Sequence, residues 1–217
     1  MLEVLVDQPT GCAMRCLPID ARQPLPVRWR GEYTLALVRR GIVVRQRVDP
    51  TGRAAAIDIA GPSSALPIAA LSDEGAAAYA VDDVMLCLAS AETLDAALTQ
   101  DHQRRRASGG AGGSFTKDLV LAQSAMRERV ERIAEARTRT AAVSRVACLL
   151  LAIADTLSPA LRLTTIPSSI QQRDLAALVA LRHESVCRAI AKLESRGIVA
   201  RTPNGLQIVR RAELETI

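Results

Sequence analysis

"QQRDLAALVALRHESVCRAIAKLESRGIV", residues 171 to 199, decides how this chain is read. Its first part has Ile170, Leu175, Leu178 and Val179 as a buried side, with Ser168 or Ser169 placed to cap a helix. A short turn, "ALR", follows. In the second part, at about 100° per residue, Val186, Ala189, Ile190 and Leu193 gather on one side of a helix, and Glu184, Cys187, Arg188 and Ala191 gather on the other. Beyond it come two short β runs, "IVART" and "LQIV", joined by "PNG", where Asn204-Gly205 is a strong signal for a tight hairpin. Helix, turn, helix and hairpin in that order predict a winged helix-turn-helix.

The outer face of the second helix raises the chemical question. Glu184 and Arg188 stand four residues apart and away from the apolar side. One reading is an i,i+4 ion pair on a solvated face, which is common and weak. The other is a DNA-reading face: a guanidinium fork matches guanine, a carboxylate accepts from the cytosine amino group, and small neighbours permit close approach.

Charge favours the second reading. Residues 162 to 211 hold 9 Arg/Lys against 3 Asp/Glu, a surplus of six, whereas residues 1 to 107 hold 12 against 13. The chain's basic excess is therefore concentrated in residues 162 to 211, as a polyanion-binding unit requires. Aromatic residues make up only 2% of the chain, so stacking on bases or sugars is not its mode of recognition.

Upstream, residues 33 to 89 read as β: "YTLALV", "GIVVRQRV", "AAAIDIA" and "AAYAVDDVMLCLA" are short apolar or alternating runs, separated by turn chemistry at "DPTGR" and "GPSS". Such spacing predicts a small antiparallel sandwich or roll rather than β-α-β alternation. Ser90 caps a short helix, "AETLDAALTQDHQ", and "RRRASGGAGGS", residues 104 to 114, reads as a flexible joint. In the long helix that follows, Leu119, Met126, Val130 and Ile133 recur at intervals of seven, four and three, a seam suited to pairing with the same helix of a second subunit or to packing on the chain's own β domain. A second apolar helix, "AAVSRVACLLLAIADTL", ends before Pro159. The expected division is 1–107 for a β-roll domain, 108–140 for linker and dimerisation helix, and 141–217 for the winged helix.

The five cysteines are odd in number and unevenly spaced, which argues against a disulfide framework and for reduced thiols or a metal site. No apolar run reaches the roughly 18–20 residues needed to span a bilayer, and the N-terminal residues lack a secretory pattern, so a cytoplasmic protein is expected.

Residues 171 to 199 closely resemble the DNA-binding segment of the Crp/Fnr family of bacterial transcription regulators: Asp-Leu-Ala in the first helix, Glu-Ser-Val and then Arg in the second, and Leu-Glu-x-x-Gly-Ile leading to the wing. The resemblance implies an α+β chain with an antiparallel β-roll of the cupin or cyclic-nucleotide-binding type, a long dimerisation helix and a winged helix-turn-helix. It makes Glu184 and Arg188 base-reading residues, with His183 and Cys187 joining them, Cys187 at the position where the Fnr branch commonly has Ser and the Crp branch Gly. Gln171, Gln172, Arg173, Arg201 and Asn204 become contacts to the DNA backbone. Double-stranded DNA with a palindromic operator, a second copy of the chain and RNA polymerase are the implied partners; a membrane is not.

The resemblance extends upstream. "VMLCLASAETLDAAL", residues 84 to 98, looks like the Fnr-branch segment in which a cluster-binding cysteine precedes Glu-Thr-Leu-Asp, and "RCLPI" looks like its N-terminal Cys-x-Pro element. By position Cys16 and Cys87 would be iron-sulfur ligands, with Cys12 a third and an Asp such as Asp7 or Asp20 completing the set. Cys148, inside an apolar helix, reads as core. Cyclic nucleotide is disfavoured, because no arginine lies between Arg53 and Arg104 to hold a cyclic phosphate. Haem is also poorly supported, since the histidines are His102 and His183 alone. The chain lacks a Gly-rich phosphate loop, a His-x-x-x-His and a Gly-x-Ser-x-Gly, so an enzyme is not expected. A helical protein-interaction module is the remaining competitor; salt-insensitive binding would mark it.

Overall fold

The computed structural model describes residues 14–26, 29, 31–52, 54–72, 75–108, 114–157 and 165–217. In chain order the elements are β1 (Arg15–Ile19), β2 (Leu35–Arg40), β3 (Val43–Val48), β4 (Ala54–Ala60), β5 (Ala65–Pro67), α1 (Ala69–Ser72), β6 (Ala76–Ala80), β7 (Val84–Ala89), α2 (Ala91–Ala107), α3 (Phe115–Thr138), α4 (Ala142–Leu157), β8 (Thr165–Pro167), α5 (Gln172–Val179), α6 (His183–Ser195), β9 (Val199–Thr202), β10 (Gly205–Ile208) and α7 (Arg211–Glu215). They form two compact units, one of residues 1–43 and 61–127, the other of residues 44–60 and 128–217.

In the first unit, β7 is the central strand of an antiparallel sheet of order β1-β7-β2-β5. Its unbroken apolar run "VMLCLA" suits a strand with neighbours on both edges and cover on both faces, and all but Met85 are buried. Leu35, Leu37, Ala65, Cys87 and Ala89 form a core cluster on which Leu94 of α2 and Leu119 and Ala122 of α3 lean. The apolar stretch 77–89 is not one strand. It breaks at Asp82 and Asp83, whose carboxylates replace ladder partners by accepting from Ile42 N at 2.7 Å and Ala21 N at 3.0 Å. The same corner requires Gly41: its φ is +84°, and a Cβ there would lie 2.5 Å from Asp83 O. Ser90 caps α2 as expected, accepting from Thr93 N at 3.2 Å. The helix runs further than expected, through Arg104, Arg105 and Arg106, which occupy its last turn where cations suit the carbonyl end of the dipole. The joint read at 104–114 therefore starts after Ala107; residues 109–113 lie outside the described residues.

In the second unit, β3 and β4 are sheet neighbours joined by the turn expected at "DPTG", where Asp49 Oδ1 accepts from Thr51 N at 2.8 Å. Asp58 of β4 is wholly buried. Arg45 Nε donates to it at 3.0 Å and Arg129 Nε of α3 at 3.1 Å, so the carboxylate welds strand to helix. Arg137, near the end of α3, donates to Ala56 O of β4 and, at 2.8 Å, to Leu178 O of α5. These bonds explain why residues 44–60, part of a β domain by sequence order, pack with the C-terminal helices.

The apolar face of α4 is buried at Val146, Leu149, Leu150 and Ile153. Its far end is fixed by Asp155, which accepts from Arg132 Nη1 at 2.8 Å and Arg211 Nη2 at 2.7 Å. The wing is a three-stranded sheet of order β8-β10-β9, one strand more than the sequence indicates. Its hairpin turns at Pro203 and Asn204 rather than Asn204-Gly205. Gly205 instead opens β10, paired with Thr202 and Pro167, at φ +137°, where a Cβ would meet Ile166 O at 1.9 Å.

Candidate nucleic-acid interface

The first helix of the pair starts later than Ser168 or Ser169 suggests. Gln171 is the N-cap, and Asp174 Oδ2 accepts from Gln171 N at 2.8 Å, the reciprocal half of a capping box. Ile170 and Leu175, both buried, stand at the two positions of a hydrophobic staple. α5 then ends at Ala180, whose φ of 53° and ψ of 45° are left-handed. That single residue turns the chain sharply into α6.

On α6 the buried residues are Val186, Ala189, Ile190 and Leu193, the face that helical spacing assigns to the core. Opposite them His183, Glu184 and Arg188 are exposed, and Cys187 is half-buried. Three other Glu–Arg pairs at i,i+4 close in the same unit: Arg132 with Glu128, Arg139 with Glu135, and Arg211 with Glu215. Glu184 and Arg188 have the same spacing and do not close; neither makes an ion pair or side-chain hydrogen bond among the described residues. The acceptor and the donor fork are both presented to solvent. Arg173, Arg182, Lys192, Arg196 and Arg201, from the same helix pair and wing, are exposed as well.

Of the residues read as backbone contacts, Gln171, Arg173, Arg201 and Asn204 are exposed and Gln172 is half-buried. A cavity of ≈ 520 Å³ between α5, α6 and the wing is lined by Gln171, Gln172, His183 and Arg201 among others. Arg201 is engaged by Glu194, Nε to Oε1 at 2.9 Å. Cys187 also has a partner that the sequence does not suggest: its Sγ donates to Gln172 Oε1 at 2.6 Å, with the His183 ring 3.7 Å away. Gln172 and Cys187 are 15 residues apart and meet only because the turn at Ala180 folds α6 across the start of α5.

The cysteines of the first unit differ from expectation. Cys16 and Cys87 are direct cross-strand partners of β1 and β7, and their sulfurs are bonded as a disulfide. While bonded, the pair offers no thiolates to a cluster, a departure from the expectation of reduced thiols that follows from the cross-strand register of Cys16 and Cys87. Cys12 and Asp7 lie outside the described residues, Asp20 is exposed, and no group of three or more metal-ligating side chains occurs among the described residues. Cys148 is half-buried rather than core; burial, reinforced by Glu135, pushes its thiol pKa up and keeps it protonated.

The seam on α3 is partly spent within the chain. Leu119 leans on the β core of the first unit and Ile133 is buried in the second, while Met126 and Val130 are half-buried. The large apolar side chains that α3 leaves most open are Val120 and Leu121, 58% and 51% exposed. No helix among the described residues is long and apolar enough to cross a membrane.

Residues 144–217 match the Crp-like helix-turn-helix domain. No protein of curated function matches the sequence. Among solved structures, FixK2 from Bradyrhizobium japonicum is 19% identical, with 94% of this chain and 96% of that one covered and a TM-score of 0.69. A CooA mutant from Carboxydothermus hydrogenoformans is 15% identical over 99% of this chain and 94% of its own, with a TM-score of 0.71. A cyclic nucleotide-binding domain containing protein from Listeria monocytogenes EGD-e is 13% identical over 97% and 96%, with a TM-score of 0.74. The chain has the fold of the Crp/Fnr transcription regulators, and its residues 144–217 carry the match to the Crp-like helix-turn-helix domain.

Proposed function

We propose that the chain is a cytoplasmic homodimer that reads a palindromic duplex, with no catalytic step of its own, and acts on transcription by engaging RNA polymerase. The observation that carries this reading is the open Glu184–Arg188 pair, presented to solvent on the helix that belongs to the basic stretch 162–211. Arg188 donates to guanine O6 and N7, Glu184 accepts from cytosine N4, and His183 reaches a third base. Gln171, Gln172, Arg173, Arg201 and Asn204 hold phosphates and set the register. Two α3 helices pair through the face that carries Met126 and Val130. In functional terms residues 1–107 sense, 108–140 pair and transmit, and 141–217 bind.

The test starts from duplexes selected out of a randomised library by the full-length protein. Binding of the best duplex is expected to weaken steeply with salt, log K falling linearly with log salt at a slope of about −0.9 per phosphate neutralised. A salt-insensitive association would replace DNA with a protein partner.

The disulfide supports a second reading, for the signal. Cys16 is exposed and Cys87 lies in the core cluster that α2 and α3 lean on, so oxidation at one edge of the sheet reaches the base of the long helix. The balanced step is two thiols and one hydrogen peroxide giving the Cys16–Cys87 disulfide and two waters. Operator affinity that changes on adding dithiothreitol in the native protein, and not in Cys16→Ser, supports it; identical affinities in all four conditions overturn it.

A further inference from the structure

The thiol of Cys187 stands on the DNA-facing side of α6, yet its donor is spent inside the protein, on Gln172 Oε1 of α5. Resting on the DNA-binding reading above, we propose that Cys187 is a positioning residue: it holds the Gln172 carboxamide in place so that Gln172 donates to a phosphate. Three observations carry this. First, S–H is a donor here and a carboxamide has one acceptor end, so the bond fixes Oε1 against α6 and turns Nε2, with its two N–H groups, the other way. Second, Gln172 Nε2 has no hydrogen-bond partner among the described residues, and no described side-chain nitrogen or oxygen is both buried and unpartnered, so Nε2 faces solvent. Third, Gln172 is the first residue of α5 and lines the cavity between the helix pair and the wing, beside Gln171 and Arg201, where a strand backbone passes if α6 enters the groove.

The arrangement also assigns a reason for a thiol at this position. A larger donor would project past Gln172 into the groove, and alanine would leave the carboxamide free to rotate. Free rotation loses the contact through entropy rather than through chemistry. His183, 3.7 Å from the sulfur on both ring nitrogens, flanks the bond without replacing either partner.

The test uses the full chain and a fluorescein-labelled duplex selected by the wild-type protein, together with a panel of its single base-pair variants. Cys187→Ala is expected to weaken binding about three- to tenfold, the worth of one hydrogen bond, by the same factor across the panel. Cys187→Ser, which keeps a donor at the same reach, is expected to restore affinity, Gln172→Ala to match Cys187→Ala, and the double variant to lose no more than either single one. Circular dichroism confirms that each variant is folded. A change of preference at one base pair in Cys187→Ala would make Cys187 a direct base reader and overturn the proposal. Additive losses in the double variant, or failure of serine to rescue, overturn it equally. A wild-type chain that selects no duplex fails earlier, overturning the DNA-binding reading and this proposal with it.

Discussion

At the scale of single residues, Asp58 shows how far a local pattern can mislead. "AAAIDIA" reads only as a short β run, whereas its one polar residue, Asp58, is fully buried between two arginines 13 and 71 residues away. Nothing near it in sequence signals either partner. Removing the carboxylate takes their shared counter-ion from two buried guanidinium groups, so Asp58→Ala is expected to cost about 3–5 kcal/mol, read as a lower urea midpoint at unchanged m-value. An effect under about 1 kcal/mol would show that the triad is no more than a packing detail. The exposed pair on α6 was legible for the opposite reason. Glu184 and Arg188 are defined by helical spacing alone, and the same spacing correctly buries Val186, Ala189, Ile190 and Leu193.

At the scale of elements, long helices were readable and the shortest wing strand was not. α4 and α6 carry enough turns for an apolar face to repeat, while β8 is three residues long and becomes a strand only by pairing with β10. The break between β6 and β7 depends on side chains that accept from Ile42 and Ala21, both distant in sequence. The tight turn between α5 and α6 offers a clean element-scale prediction. Ala180 is exposed and left-handed, a conformation that costs a Cβ-bearing residue about 1–2 kcal/mol. Ala180→Gly removes that cost but adds freedom to the unfolded chain, so a net gain of about 0.5–1 kcal/mol is expected in thermal or chemical unfolding. A loss of stability would mean that the turn is not left-handed in solution.

At the scale of the whole molecule, the sequence indicated three parts in series, and the contacts regroup them. Residues 44–60 join the C-terminal helices because Asp58 and Ala56 O hold Arg129 and Arg137 of α3. The same helix carries the proposed dimer contact. Replacing Met126 and Val130 together by Glu places four carboxylates where two helices meet, and sedimentation equilibrium is expected to show a monomer with the wild-type helical content. A dimer that survives this change would place the interface elsewhere. Half-site spacing follows from a dimer: two recognition helices on one face of the duplex are about 34–36 Å apart, one helical turn.

The measurement that bears most directly on the central claim compares wild type with Arg188→Ala on the selected duplex and its single base-pair variants. Loss of a bidentate contact predicts a penalty of about 1–3 kcal/mol on the best duplex, with discrimination relaxed at one base pair in each half-site and retained at the others. Unchanged affinity for the best duplex, or a uniform loss with every preference intact, would contradict the assignment of this helix face to the major groove.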